Sequence, residues 1–121
     1  DINRALFYSG MNGQLHTKPQ KKYISLIDGW IGGEGNGPLN PDPVNSRVLI
    51  LALNALAADI AATKIMGIDW RKIKTITNAF NASEYPLVFS DSKDICLDLD
   101  FVPEHRYLPP DGWKDYLQLE P

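Results

Sequence analysis

Five of the nine glycines in this chain fall within the nine residues 29–37, and prolines follow at positions 38, 41 and 43. Glycine loses much backbone freedom when it is fixed in a helix or strand, and proline interrupts both. The sequence therefore predicts a long loop without regular structure over residues 29–43. Any fold available to the chain must place this loop between two apolar runs, at residues 23–27 and 48–53.

The apolar runs on either side of the glycines predict two strands. Residues 23–27 (Tyr-Ile-Ser-Leu-Ile) are rich in β-forming side chains. Residues 48–53 (Val-Leu-Ile-Leu-Ala-Leu) are continuously apolar, which is typical of a strand buried on both faces. Residues 95–101 alternate between apolar and polar side chains and predict a half-buried edge strand.

Helix signals lie beside these strands. Asn54 and Gly67 bracket a predicted helix over 55–66, Asp69 caps a second over 70–80, and a short helix is expected over 1–9. The sum predicts a single domain of the α/β (or α+β) class, with a small, mostly parallel sheet covered by helices. Because residue 1 is Asp and helical periodicity has already begun there, we expect residues 1–121 to be part of a larger domain whose N-terminal region is missing.

Composition limits the classes of function. A net charge of −3 gives no general attraction to nucleic acid or anionic membranes, and no apolar stretch is long enough to span a bilayer. Cys96 is the sole cysteine, so the chain cannot form an internal disulfide or hold an iron–sulfur cluster by itself. We expect a cytoplasmic protein with no nucleic-acid or membrane partner.

The glycine-rich segment at residues 28–38 is the strongest candidate for a functional site. Open α/β sheets bind ligands beyond the carboxyl ends of their strands, and Asp28 stands at such an end. The predicted catalytic residues are Asp28, Glu34 and Asp59, and the predicted cofactor-binding residues are Gly33, Gly35, Asn36 and Gly37. Glycine N–H groups suit an anion, whereas the carboxylates suit a divalent metal or a general base. Alternatively, the glycines only permit a tight crossover and Glu34 is solvated.

Asp59 is the second feature of the candidate site. It lies among small apolar residues on the predicted helix, where a buried charge would be costly. If the two strands are neighbours and parallel, Asp59 faces the glycine loop and shares a metal or a proton with it. An equal alternative is that this carboxylate holds the backbone of the loop.

The tail from Pro103 onward is rich in proline and aromatic residues. This composition predicts a segment that wraps the surface of the domain. Trp113 is interpreted as an anchor of this tail rather than as a residue that recognises a partner.

An ordered set of short motifs resembles the C-terminal part of the uncharacterised DUF362 family. The motifs are Ile27-Asp28-Gly29, Gly33-Glu34-Gly35-Asn36-Gly37-Pro38, Ala58-Asp59 and Met66-Gly67-Ile68-Asp69. Ala55-Leu56 departs from the family, which often has a proline-containing turn there. The family has no settled reaction, and some members carry ferredoxin-like 4Fe–4S segments. The resemblance therefore implies a missing N-terminal region or a ferredoxin-like partner.

Three hypotheses follow from the sequence, and they leave open whether the chain is an enzyme. In the first, the glycine loop and Asp59 bind a small molecule or a divalent metal. In the second, the chain is a non-catalytic accessory or redox-partner module of an iron–sulfur protein. In the third, it is a structural half-domain. Asp59 buried beside Glu34 would favour the first, and a large exposed apolar face would favour the others.

Overall fold

The computed structural model describes residues 2–88, 106–113 and 116. The predicted strand over 95–101, which includes Cys96, lies outside these residues. The described elements, in chain order, are α1 (Ile2–Tyr8), β1 (Ser25–Gly29), β2 (Gly32–Glu34), β3 (Asp42–Val44), β4 (Val48–Ala52), α2 (Ala55–Met66), a 3-10 turn (Trp70–Lys72), α3 (Lys74–Phe80) and a second 3-10 turn (Asp111–Trp113). Within this part of the chain, no helix is long and apolar enough to cross a membrane.

The predicted parallel sheet is wrong, because both described sheets are antiparallel. β1 pairs with β4, with Leu26 opposite Leu51 and Asp28 opposite Leu49. β2 pairs with β3 in a second two-stranded sheet. Parallel pairing requires a crossover that carries the chain back to the starting end of the first strand. Residues 30–47 instead contain the β2–β3 hairpin and return the chain to the end of β1 that it has just left, so β4 runs in the opposite direction. The helices and antiparallel sheets are compatible with a small α+β fold.

The hairpin also corrects the prediction that residues 29–43 lack regular structure. Gly33 pairs with Pro43 and Glu34 with Asp42, although neither glycine nor proline favours a strand. Gly35 takes a left-handed φ of 72°, which glycine adopts without steric cost. Contacts with residues far along the chain, described below, hold this hairpin in place.

The capping signals of α2 are confirmed. The Asn54 side chain accepts hydrogen bonds from the N–H groups of Leu56 and Ala57, at 2.9 and 3.3 Å. Gly67 ends the helix with a φ of 74°. The predicted helix over 70–80 is divided at Ile73, whose φ and ψ of −93° and 104° are extended, so Asp69 caps a 3-10 turn instead of a longer α-helix.

The core lies between α2 and α3. Leu56, Ile60 and Ile76 form a buried cluster, against which five partly buried side chains pack: Trp70, Ile73, Ala79, Phe80 and Val88. The rings of Trp70 and Phe80 lie 5.3 Å apart between centroids. Packing of α2 against this cluster on one side and against β1 and β4 on the other makes α2 the central element of the fold.

The β1–β4 sheet is covered on one side only. Alternate residues on its strands, including Ile27 and Ile50, are half-buried, and α2 contacts both strands. The intervening residues point away and are exposed. We call Ile24, Leu26, Leu49, Leu51 and Leu53 the apolar sheet face; their side chains are 63–78% exposed. The prediction that residues 48–53 are buried on both faces is therefore wrong within this chain.

Asp69 makes stability depend on pH. Its buried carboxylate accepts from the backbone N–H of Arg71 at 3.1 Å and from the guanidinium nitrogens at 2.7 and 2.9 Å. The side-chain hydrogen bonds from Arg71 are the main reason that the pKa of Asp69 lies below its usual 3.8. A lowered folded-state pKa stabilises the fold above the ordinary value, and this contribution is lost as pH falls through the folded value.

We expect Asp69→Asn to lower the free energy of unfolding by about 1.5–3 kcal/mol at pH 7, where charged hydrogen bonds are lost. Urea denaturation should show the difference from wild type shrinking as the pH falls below the usual carboxyl value of 3.8, since the wild-type carboxyl is then increasingly protonated. Glu84→Gln, at an exposed position, serves as the control. A difference that stays constant with pH would contradict the role of the Asp69 charge.

Candidate functional site

The glycine loop begins at Asp28, whose carboxylate is committed to a local turn. Asp28 is exposed, and its Oδ1 accepts from the backbone N–H of Trp30 at 3.1 Å. Asp and Asn commonly stabilise turns in this way. One Asp28 oxygen therefore shapes the start of the loop instead of facing a ligand.

The other two oxygen-bearing residues of the loop bind the segment at residues 106–113. Glu34 Oε2 accepts from the N–H of Leu108 at 2.8 Å, and the N–H of Gly35 donates to the Leu108 carbonyl at 2.8 Å. Asn36 donates to the Asp111 carboxylate at 3.3 Å and accepts from the Asp111 N–H at 3.4 Å. We call these four hydrogen bonds the loop clasp. Gly33 is needed for space, since a Cβ there would lie 2.9 Å from Pro41 Cβ, whereas a Cβ on Gly37 would make an ordinary contact with Pro41 at 3.7 Å.

Tyr107 fixes the position of the clasp relative to the helices. It is buried, its hydroxyl is hydrogen-bonded to Ser46 Oγ, and its N–H donates to the Met66 carbonyl at 3.0 Å. A Cβ on Gly32 would collide with the Tyr107 hydroxyl and lie 2.9 Å from its Cζ. Gly32 is thus required for close packing. Tyr107, Leu108 and Ser46 are not among the residues predicted for the site. The available signal was a tyrosine between the prolines at 103 and 109 of the predicted surface tail.

Asp59 lies away from the loop. The loop leaves β1 where Gly29 pairs with Val48, the first residue of β4, whereas α2 begins beyond the opposite end of β4. The helix then runs back, and Met66 at its end reaches Tyr107. Asp59 precedes Met66 by about 10 Å along the helix axis, at 1.5 Å per residue. The expected approach of Asp59 to the glycine loop rested on parallel strands, and the antiparallel pairing removes its basis.

Asp59 instead lies at a small cavity of about 110 Å³ between the three helices. The lining residues are Asn3, Phe7, Ala55, Leu56, Asp59, Thr75, Ala79 and Leu87. Partial removal of water raises the pKa of the Asp59 carboxyl above its usual value. The carboxylate has no hydrogen-bond or ion-pair partner within the described residues. At about 30 Å³ per water, the cavity holds roughly four waters, so it is small for a metabolite.

A metal centre finds little support in this geometry. Over residues 2–88, 106–113 and 116, no three His, Cys, Asp or Glu side chains come together in a way that could hold a metal ion. Asp28, Glu34 and Asn36 each accept a hydrogen bond from the chain itself. These loop oxygens therefore have a structural role, because each of them holds part of the chain's own backbone.

No protein-family model matches the chain, and no significant match is found among curated proteins or among solved structures. The resemblance to DUF362 proteins stays a prediction that rests on the motifs quoted above.

Proposed function

We propose that this chain is a non-catalytic interaction module whose apolar sheet face packs against a helix of a partner protein. Both sides of the β1–β4 sheet carry apolar side chains, and α2 covers only one side. This observation carries the proposal. Contiguous exposed apolar patches on a protein surface mark interaction sites. Fully burying a leucine or isoleucine contributes about 1.5–3 kcal/mol relative to leaving it exposed, so covering five such side chains even partly is strongly favourable.

The dimensions of the face favour a single helix as the covering element. Strands of five residues are about 17 Å long, and two paired strands are about 10 Å wide. A helix of twelve residues is about 18 Å long and about 10 Å in diameter. α2 has twelve residues and covers the opposite side of the same strands. A partner helix of about three turns would match it, giving a sheet between two helical layers.

The polar edge of the face adds a requirement on that helix. Asp28 is exposed on the same side of β1 as Leu26, because residues two apart on a strand share a side. Its Oδ1 accepts from Trp30, and a carboxylate can accept further hydrogen bonds. A partner helix with a leucine stripe and a lysine or arginine near one end would satisfy both the apolar face and this carboxylate.

This reading is better supported than a small-molecule or metal site at the glycine loop. The loop oxygens accept from the chain's own backbone, and the Asp59 cavity is separate and small. The sequence hypothesis of an accessory module agrees with an exposed apolar face. That the partner is an iron–sulfur protein rests only on the DUF362 resemblance.

Substitution of the face by polar residues tests the proposal. We expect Leu26→Gln/Leu51→Gln to weaken binding of a synthetic amphipathic peptide of fourteen residues, with a leucine stripe and a terminal lysine, at least about tenfold. The free energy of unfolding should change by less than about 1 kcal/mol, because neither leucine is buried in the chain itself. Isothermal titration calorimetry and chemical denaturation give the two measurements.

Met11→Gln/Leu39→Gln is the matched control, since both residues are almost fully exposed and lie outside the face. It should leave peptide binding unchanged. Equal peptide binding by wild type and the Leu26/Leu51 variant would refute the proposal. A wild-type dimer that this variant converts to a monomer, seen by light scattering, would identify a second copy as the occupant instead of a helix.

A further inference from the structure

A groove beside the first 3-10 turn, lined by none of the residues of the apolar sheet face, has a cationic wall and an aromatic wall. Its volume is about 400 Å³, and it is lined by Lys72, Ile73, Lys74, Trp113 and Tyr116. Small-molecule sites typically range from about 300 to 1,000 Å³. The groove is therefore large enough for a ligand that the Asp59 cavity cannot hold.

Two backbone hydrogen bonds help to position the aromatic wall. The N–H of Trp113 donates to the Pro110 carbonyl at 2.8 Å, and the N–H of Tyr116 donates to the Trp113 carbonyl at 3.3 Å. The side chains of Trp113 and Tyr116 both line the groove. Trp113 and Tyr116 are 56% and 61% exposed, so more than half of the surface of each residue is accessible to a ligand. The interpretation of Trp113 as only a tail anchor does not account for this exposure.

The cationic wall comes from the junction between the first 3-10 turn and α3. Lys72 Nζ lies 5.8 Å from the centroid of the Tyr116 ring, within the range of a cation–π interaction. Arg71 binds the neighbouring carboxylate of Asp69 with two side-chain hydrogen bonds. Neither Lys72 nor Lys74 forms an ion pair within the described part of the chain. Two lysines two positions apart thus supply positive charge beside exposed aromatic rings.

We propose that this groove binds a nucleoside monophosphate, with the base stacked on Trp113 and the phosphate between Lys72 and Lys74. Bases stack well on exposed aromatic side chains. Lysine is a common phosphate ligand, and two lysines match a phosphate that carries up to two negative charges. Ile73, between the lysines, supplies an apolar surface for the sugar. This site is independent of the proposed protein interaction.

Titration with AMP tests the site, with adenosine and inorganic phosphate as partial ligands. Wild-type protein should bind AMP at least about tenfold more tightly than either partial ligand, which corresponds to about 1.4 kcal/mol for the missing half. Lys72→Gln/Lys74→Gln should weaken AMP binding at least about tenfold, and higher salt should weaken wild-type binding. Ligand-observed NMR or calorimetry can follow each titration.

Lys18→Gln/Lys64→Gln removes the same charge from two exposed lysines outside the groove, and it should bind AMP like wild type. Trp113→Leu should weaken AMP binding and leave phosphate binding unchanged, whereas Trp113→Phe should retain most of the AMP affinity. Several results would overturn the site: no AMP binding at millimolar concentration, equal losses in both lysine pairs, or phosphate binding as tightly as AMP. Loss of thermal stability in Lys72→Gln without any effect on AMP binding would show that Lys72 only tethers the aromatic segment.

Discussion

Ile60→Ala should lower the free energy of unfolding by about 2–5 kcal/mol, the range measured when a large aliphatic side chain is removed from a core. Ile60 is 1% exposed and packs with Leu56 and Ile76 where α2 and α3 meet. The loss combines the transfer free energy of the deleted groups with the cost of the cavity that remains. Because α2 also packs against β1 and β4, a loosened α2 should weaken the packing of the sheet as well.

Chemical denaturation can compare the free energy of unfolding of Ile60→Ala with that of Leu49→Ala. Leu49 belongs to the apolar sheet face and is 69% exposed, so its truncation should change the free energy of unfolding by less than about 1 kcal/mol. Ile60→Val should fall between the two, at about 0.5–1.5 kcal/mol. Similar losses at positions 49 and 60 would mean that the sheet face is covered within the chain, contrary to the proposed function.

Gly32→Ala should destabilise the fold by about 1–3 kcal/mol through overpacking. The new Cβ would collide with the Tyr107 hydroxyl and lie 3.0 Å from Ser46 Oγ, and both residues are buried. Relief requires Tyr107 to move, which would pull residues 106–113 away from the loop. Hydrogen exchange at the Leu108 N–H should therefore accelerate, since its bond to Glu34 would be lost more often.

Gly112→Ala is the matched control, because a Cβ there meets no heavy atom within 4 Å. A double-mutant cycle with Tyr107→Ala separates the collision from a general effect of alanine at position 32. In the Tyr107→Ala background, Gly32→Ala should cost far less than in wild type. If Gly32→Ala lowered the free energy of unfolding equally in both backgrounds, the collision with Tyr107 would not be the cause of the destabilisation.

The helical part of the fold was predictable because its signals are local. Asn54 and Gly67 mark the ends of α2 by hydrogen bonds and backbone angles that involve only nearby residues. Strand direction had no such signal. The apolar runs located β1 and β4 to within two residues, yet apolarity is the same whichever way a strand runs. The continuous run at 48–53 predicts burial on both sides, whereas β4 alternates between half-buried and exposed residues and α2 contacts one side.

The candidate site was harder to predict than the helices. The sequence predicts Asp28, Glu34 and Asn36 as site residues of one loop, but the partners of Glu34 and Asn36 are 74 and 75 positions away. No local pattern reports contacts at that separation. The expectation that Asp59 faces the loop depended on parallel strands, and the antiparallel pairing removes that basis.

The loop clasp has a consequence for the order in which the molecule folds and opens. Contacts between α2, the adjacent turn and α3 join residues that are close in sequence and can form early, whereas the clasp must close a chain of more than seventy residues. Its hydrogen bonds are exposed, while the Leu56–Ile60–Ile76 cluster is buried. The glycine-rich segment should accordingly separate from residues 106–113 in excursions that leave the helical core intact. Its backbone amides would then exchange with solvent far faster than those of α2.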